Sequence, residues 1–217
     1  MAKCIIFCAG GFDRLIEPIK NDDLLIAADG GLAHFANIDR KPDVILGDFD
    51  SLGYVPRQAE VSPVEKDDTD AMLAVRRGLG AGCKEFLLYG SLDGPRLDHT
   101  VANFQTLQYL ADNGATGWLI GLEQMVTVVQ NSVLRFPADF AGTVSVFSMG
   151  GVAGGVTIKG LKYPLTDGIL TPGFPLGVSN SFVGTESEIS VKDGSLLVIL
   201  SRQNAFPRGE GAPEGGG

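Results

Sequence analysis

Through the first 125 residues, short apolar runs alternate with helix-patterned segments, and that alternation restricts the chain to a few architectures. Residues 4–9, 24–28, 44–46, 61–64, 86–89 and 118–121 read as buried strands. Helices are expected at 32–36, 70–79 and 98–113, the last with an apolar stripe at Val101, Phe104, Leu107 and Leu110. Strands interleaved with helices build a mostly parallel sheet covered on both faces. Past residue 125 the helical period disappears. Short β-like runs at 125–129, 133–136, 143–147, 156–159, 188–191 and 196–200 are punctuated by Gly, Pro and Asn, the pattern of an antiparallel sandwich or barrel-like domain. The expected organisation is therefore α/β: an N-terminal, mostly parallel α/β domain (1–125), a smaller C-terminal all-β sandwich (126–206) and a tail (207–217). That tail, PRGEGAPEGGG, has nothing to bury and is expected to be disordered. At 217 residues and 44% hydrophobic, the chain has enough apolar side chains for a substantial core.

The net charge of -9 and pI of 4.6 disfavour general polyanion binding, and no local Lys/Arg surplus suggests a nucleic-acid groove. Cys4, Cys8 and Cys83 are too few and too scattered for a disulfide framework or zinc site; Cys4 and Cys8 lie in an apolar run, where cysteine serves as a small buried side chain. No apolar stretch is long enough to span a bilayer, and residues 1–3 lead directly into a strand-like run rather than a signal peptide. The chain reads as cytoplasmic, with no membrane partner.

The acidic residues carry the functional signal. Asp29 follows LLIAA; Asp48 and Asp50 follow VILG; Asp67, Asp68 and Asp70 follow VSPVE; Asp93 and Asp98 follow FLLYG. Four strands thus deliver carboxylates to the end where open α/β sheets bind ligands. Aspartate also makes turns and N-caps, but turn chemistry requires no such agreement between separate strands. Like charges gathered there repel, and a divalent cation resolves the repulsion; Mg²⁺ takes hard oxygen ligands and bridges carboxylates to phosphates. Asp48 and Asp50, two residues apart, share a face if the segment is extended. Gly10-Gly11, Gly30-Gly31, Gly47, Gly90 and Gly94 fall beside the same carboxylates and would let backbone N–H groups approach phosphate oxygens. No P-loop or dinucleotide fingerprint is present. Lys66 and Arg96 either balance phosphate charge or pair with a neighbouring Asp, and His34 and His99 show no metal-ligand spacing.

Together AADGG (27–31), PDVILGDFDS (42–51), EKDDTDAMLAV (65–75) and GSLDGPRLDHTVANFQTL (90–107) strongly resemble the thiamine pyrophosphokinase family, as do GLKYPL (160–165) and GVSN (177–180) in the second half. The resemblance extends from residue 4 to about 202; Asp68 is a local departure. It implies a catalytic α/β domain and a thiamine-binding β-sandwich in a homodimer, with active sites between subunits. The implied reaction is Mg²⁺-dependent transfer of the pyrophosphoryl group of ATP to the hydroxyl of thiamine, giving thiamine diphosphate and AMP. On the same basis Asp48, Asp50 and Asp70 look like magnesium ligands, with Asp29 and Asp98 completing the acidic site. Gly30, Gly31, Ser51, Lys66, Thr69, Arg96, His99 and Asn103 are similar to positions lining the nucleotide site, and Leu161, Tyr163, Ser179 and Asn180 match the thiamine-contact region.

Phosphoryl-type transfer needs positioning and charge neutralisation more than covalent chemistry by the protein, which suits this residue set. Asp70 and Asp98 are both candidates to accept the thiamine hydroxyl proton. Two rivals stand beside this reading. A strand ending in D-x-D-S also resembles the haloacid-dehalogenase phosphatases, which would leave EKDDTD and RLDH without a role. A sensor of thiamine or nucleotide with a degenerate site would have little need for so many clustered carboxylates.

Overall fold

The computed structural model describes residues 2–49, 54–57, 59–61 and 68–210; Asp50, Ser51, Lys66 and Asp67 lie outside them. The chain divides into two compact units, Met1–Leu122 and Glu123–Gly217.

In the first unit, β1 (Cys4–Phe7), β2 (Leu24–Ala28), β3 (Val44–Gly47), β4 (Glu60–Val61), β5 (Glu85–Tyr89) and β6 (Thr116–Ile120) form a parallel sheet in the order β4-β3-β2-β1-β5-β6. The runs CIIF, LLIAA and EFLLY are almost wholly buried, as expected for parallel strands covered on both faces. From β1 the chain proceeds outward through β2, β3 and β4, then returns to place β5 on the other flank of β1. This reversal puts a topological switch point at the carboxyl ends of β1 and β5.

Two α-helices follow β4 and β5. Helix α1 (Asp70–Gly80) begins at an N-cap where the Thr69 side chain accepts a hydrogen bond from Met72 N, and it buries Ala71, Ala74, Val75 and Gly78. Gly78 permits close approach: an added Cβ would lie 2.5 Å from the Phe86 ring and 2.6 Å from Cys4 Sγ. Helix α2 (Leu97–Asp112) buries Asn103, Thr106, Leu107 and Leu110, while Val101 is exposed. The expected apolar stripe is therefore rotated, and two polar side chains enter the buried face because each has a backbone acceptor. Asn103 Nδ2 donates to Ser91 O at 2.7 Å and Thr106 Oγ1 to Ala102 O at 3.0 Å. The segment expected as a helix over 32–36 belongs to a longer 3-10 helix, Asp29–Asn37. No helix among the described residues is long and apolar enough to cross a membrane.

The second unit contains only strands among its described elements: β7 (Gln124–Gln130), β8 (Val133–Phe136), β9 (Thr143–Lys159), β10 (Leu165–Leu170), β11 (Gly177–Ser181), β12 (Ser187–Ser190), β13 (Asp193–Ser201) and β14 (Arg208–Glu210). Their pairings with one another are antiparallel. The separate runs 143–147 and 156–159 are joined as the 17-residue β9. Gly150 and Gly155, at φ 74° and 65°, carry the strand through its glycine-rich middle. The first half of β9 pairs with β13 and β11, the second with β10 and β12. Strands β10 and β11 were absent from the sequence expectation because LTDGIL and GVSNS are largely exposed and lack an apolar alternation. Within the segment expected to be disordered, the backbone of residues 208–210 pairs with β8; residues 211–217 lie outside the described residues.

All three cysteines are free and buried. Burial, and secondarily the Asp70 charge, push the Cys8 thiol up to about 12. Unfolded thiols ionise near about 8.5, so above that pH the unfolded chain loses this proton before the native protein does. The Cys8 contribution to stability should be intact below about pH 8.5 and then decline by about 1.4 kcal/mol per pH unit until the native thiol titrates. Urea unfolding of the protein and Cys8→Ala at about pH 7.5 and about pH 9.5 checks this: the variant should show the shallower decline with pH.

Candidate functional site

The ends of β1 and β5 are joined beyond their strands. Cys8 N donates to Tyr89 O at 2.8 Å and Gly10 N to Gly90 O at 2.9 Å. Gly90 has φ 66°, and a Cβ there would lie 2.6 Å from Cys8 O, so the close passage of these two chains requires glycine.

At the end of β2, Asp29 has φ 45° and opens the 3-10 helix with Gly30 and Gly31. A Cβ on Gly31 would strike the carbonyl oxygen of Phe7, so the Asp-Gly-Gly turn lies directly against β1. At the end of β3, Gly47 has φ 151°, and its Cβ would fall 3.0 Å from Asp29 Cα. Asp29 and Asp48 therefore follow neighbouring strand ends in close backbone contact. Asp48 is half-buried between Gly47 and the buried Phe49, which has φ 58°. Such conformations are costly and concentrate at functional sites.

Asp70 occupies the first turn of α1, and its charge acts on Cys8 at the end of β1, linking the helix start electrostatically to the same edge. Asp68, the departure from the family pattern, forms a 2.8 Å ion pair with Arg76. Thr69 uses its hydroxyl as the helix cap.

In the loop after β5, the Arg96 guanidinium grips Asp98 through Nε–Oδ1 (3.2 Å) and NH2–Oδ2 (2.6 Å) contacts. These hydrogen bonds hold the Asp98 carboxyl below the usual carboxylate range. His99 is exposed, whereas Asn103 is buried with its amide anchoring Ser91, so Asn103 supports the loop from beneath. Asp93 accepts from Leu122 N at 2.8 Å and ties this loop to the chain leaving β6. Neither that role nor the contacts of His34 were apparent from sequence, because their partners are backbone groups distant in the chain.

Of the candidate thiamine-contact residues, Tyr163 and Ser179 are exposed, and Leu161 and Asn180 are buried. Asn180 clamps the neighbouring chain: Oδ1 accepts from Tyr163 N and Ser181 N, both at 2.9 Å, and Nδ2 donates to Tyr163 O at 2.6 Å. Ser179 has φ 59°, and its N–H donates to Ser145 Oγ at 3.0 Å. Ile158, Tyr163, Leu176, Val178 and Asn180 help line a cavity of about 180 Å³. Asn180→Ala should lower stability by about 1–3 kcal/mol, since the side chain is buried and three part-buried backbone groups of Tyr163 and Ser181 lose a partner. Thermal unfolding checks this, and an unchanged Tm would show that the clamp is dispensable.

Among the described residues, no three of His, Cys, Asp and Glu converge closely enough to hold a metal ion by themselves. The donor chemistry nevertheless fits a hard cation: Asp29 and Asp48 follow adjacent strand ends, and Asp70 acts on the same sheet edge.

An open parallel sheet with glycine turns and carboxylates beside its switch point defines a class, that of α/β proteins that take ligands at the carboxyl ends of their strands. Two family models match the chain: the catalytic domain of thiamin pyrophosphokinase over residues 15–119, and its vitamin B1 binding domain over residues 131–196. The chain belongs to the thiamine pyrophosphokinase family, whose known reaction transfers the pyrophosphoryl group of ATP to thiamine. A curated thiamine pyrophosphokinase of Bacillus subtilis (strain 168) is 26% identical over 219 residues, spanning 92% of this chain and 99% of that protein. The crystal structure of thiamine pyrophosphokinase from Bacillus subtilis aligns with a TM-score of 0.77 at 25% identity, over 93% of this chain and 100% of that chain. Thiamin pyrophosphokinase from Candida albicans shares the fold at 15% identity, with a TM-score of 0.74 over 93% of this chain and 89% of that chain.

Proposed function

We propose that the chain performs its family's reaction through the acidic edge of the first unit, with thiamine held by the second. The enzyme joins the hydroxyl oxygen of thiamine to the β-phosphorus of ATP, and the bond from that phosphorus to the α-phosphate bridging oxygen breaks. Thiamine diphosphate and AMP leave, and the hydroxyl proton passes to a base. The observation that carries this reading is the convergence of the Asp29-Gly30-Gly31 turn, the Gly47-Asp48 strand end and the start of α1 beside the switch point.

Asp48, Asp50 and Asp70 would hold Mg²⁺, which supplies charge neutralisation of the triphosphate when bound. The nucleotide site takes in the Asp29-Gly30-Gly31 turn, which Gly31 seats against Phe7, with Ser51, Lys66, Thr69, Arg96 and His99; Asn103 acts through the loop it anchors. Asp70 and Asp98 are the two candidate acceptors of the hydroxyl proton; Arg96 grips Asp98 and holds its carboxyl below the usual carboxylate range. In the second unit, read as a sandwich whose layers share β9, Leu161, Tyr163, Ser179 and Asn180 shape the thiamine site. Exposed Tyr163, Ile169, Phe174, Leu176 and Val178 support a homodimer in which the thiamine site of one subunit meets the nucleotide site of its partner. Free thiols support a cytoplasmic setting.

Product analysis with ATP, Mg²⁺ and thiamine, with and without chelator, tests the reading. Thiamine diphosphate and AMP are expected together, and only with free metal. Free phosphate instead of AMP would replace this reading with the phosphatase; thiamine binding without turnover would replace it with the sensor.

A further inference from the structure

We infer that His34, which has no part in the acidic site, is a positioning residue that fixes the Gly10-Gly11 turn against the Asp29-Gly30-Gly31 turn, which the proposed reaction gives to the nucleotide. The imidazole Nε2 lies 3.0 Å from Cys8 O and 2.9 Å from Gly10 O. Both partners are carbonyls and can only accept, so Nε2 carries the hydrogen and donates to both. The ring is held in place by the side chains of Phe12 and Phe7, whose centroids lie 5.3 and 6.4 Å from its own.

The same two carbonyls face Gly90, where a Cβ would lie 2.6 Å from Cys8 O and 2.8 Å from Gly10 O. They are gathered between the His34 donor on the 3-10 helix and a bare glycine at the end of β5. Because that helix opens with Asp29, Gly30 and Gly31, a single side chain couples the glycine turn after β1 to the Asp-Gly-Gly turn after β2, beside the switch point. Without the donor, two carbonyls lose a partner in a tightly packed turn, and the turn is free to shift relative to Asp29.

The inference rests on the proposed reaction for its kinetic consequence, but the position of the turn can be measured independently. The experiment compares the full-length protein with His34→Leu, which removes the donor, and His34→Gln, which retains an amide N–H at similar reach. His34→Leu should raise the exchange rate of peptides covering residues 8–16 in hydrogen–deuterium exchange. It should also raise KM for Mg·ATP about tenfold while leaving KM for thiamine within about twofold, because the Asp29-Gly30-Gly31 turn that the proposed reaction gives to the nucleotide opens the helix carrying His34, and a displacement there of a fraction of an ångström is costly. His34→Gln should recover most of both effects. Wild-type exchange and wild-type KM values in His34→Leu would overturn the inference. So would equal impairment toward both substrates with no recovery by Gln, the pattern of a residue needed only for folding. If His34→Leu fails to fold, His34→Asn, one methylene shorter, replaces it against Gln, and equal behaviour of the two amides refutes the positioning role. Absence of turnover in the unmodified protein would refute the proposed reaction, while the exchange comparison would still decide whether His34 holds the turn.

Discussion

Gly31→Ala is expected to destabilise the first unit by about 3 kcal/mol, the upper range for overpacking, and to remove most activity from the molecules that remain folded. The added methyl would strike the carbonyl oxygen of Phe7 and lie 3.0 Å from Cys8 N. Both are backbone atoms of the buried β1 segment and cannot swing aside as a flexible side chain would. The clash must therefore be relieved by lifting the Asp29-Gly30-Gly31 turn off the sheet, which displaces Asp29 from Gly47 and the β3 end. Chemical denaturation measures the first effect, and kcat per folded molecule the second. A variant with wild-type stability and kcat would show that the turn does not need this close contact.

Asp48→Asn is expected to lower kcat by on the order of 100- to 1000-fold, the range for losing one preorganised electrostatic contact, while KM for thiamine changes little. Asparagine preserves the shape of the side chain, and the flanking Gly47 and Phe49 remain in their positive-φ conformations, so the change removes charge rather than structure. Stability should change little, because the substitution keeps the size and shape of a half-buried side chain. Steady-state kinetics against each substrate, beside thermal unfolding, separates the outcomes. A proportionate loss of thiamine affinity, or a kcat within a few-fold of wild type, would remove Asp48 from the phosphate-transfer machinery.

The strands of the first unit were legible because parallel strands buried on both faces appear as unbroken apolar runs, such as CIIF and LLIAA. Helix α1 was expected at 70–79 and is found at Asp70–Gly80, whereas Thr69, read from the resemblance as a nucleotide-site residue, is its cap. Helix α2 was only partly so: apolar periodicity pointed toward Val101, whereas the packed face includes Asn103 and Thr106, whose polarity is satisfied by backbone carbonyls. In the second unit, glycine interruption disguised the continuity of β9, and the polar β11 left no apolar alternation to follow.

Local composition and spacing determined that acidic and glycine-rich turns follow successive strands, and the order of those motifs carried the family resemblance. The pairing of the turns was decided in three dimensions. Sequence cannot reveal that β5 returns beside β1, that Gly31 rests on Phe7, or that His34 binds carbonyls 24 and 26 residues away. Spacing left Arg96 either to phosphate or to a neighbouring Asp, and the fold shows it on Asp98; that Asp93 braces the chain after β6 had no sequence signal. Apolar periodicity records how much of each segment is buried; the direction of an individual polar side chain depends on which backbone donor or acceptor the folded topology brings within reach.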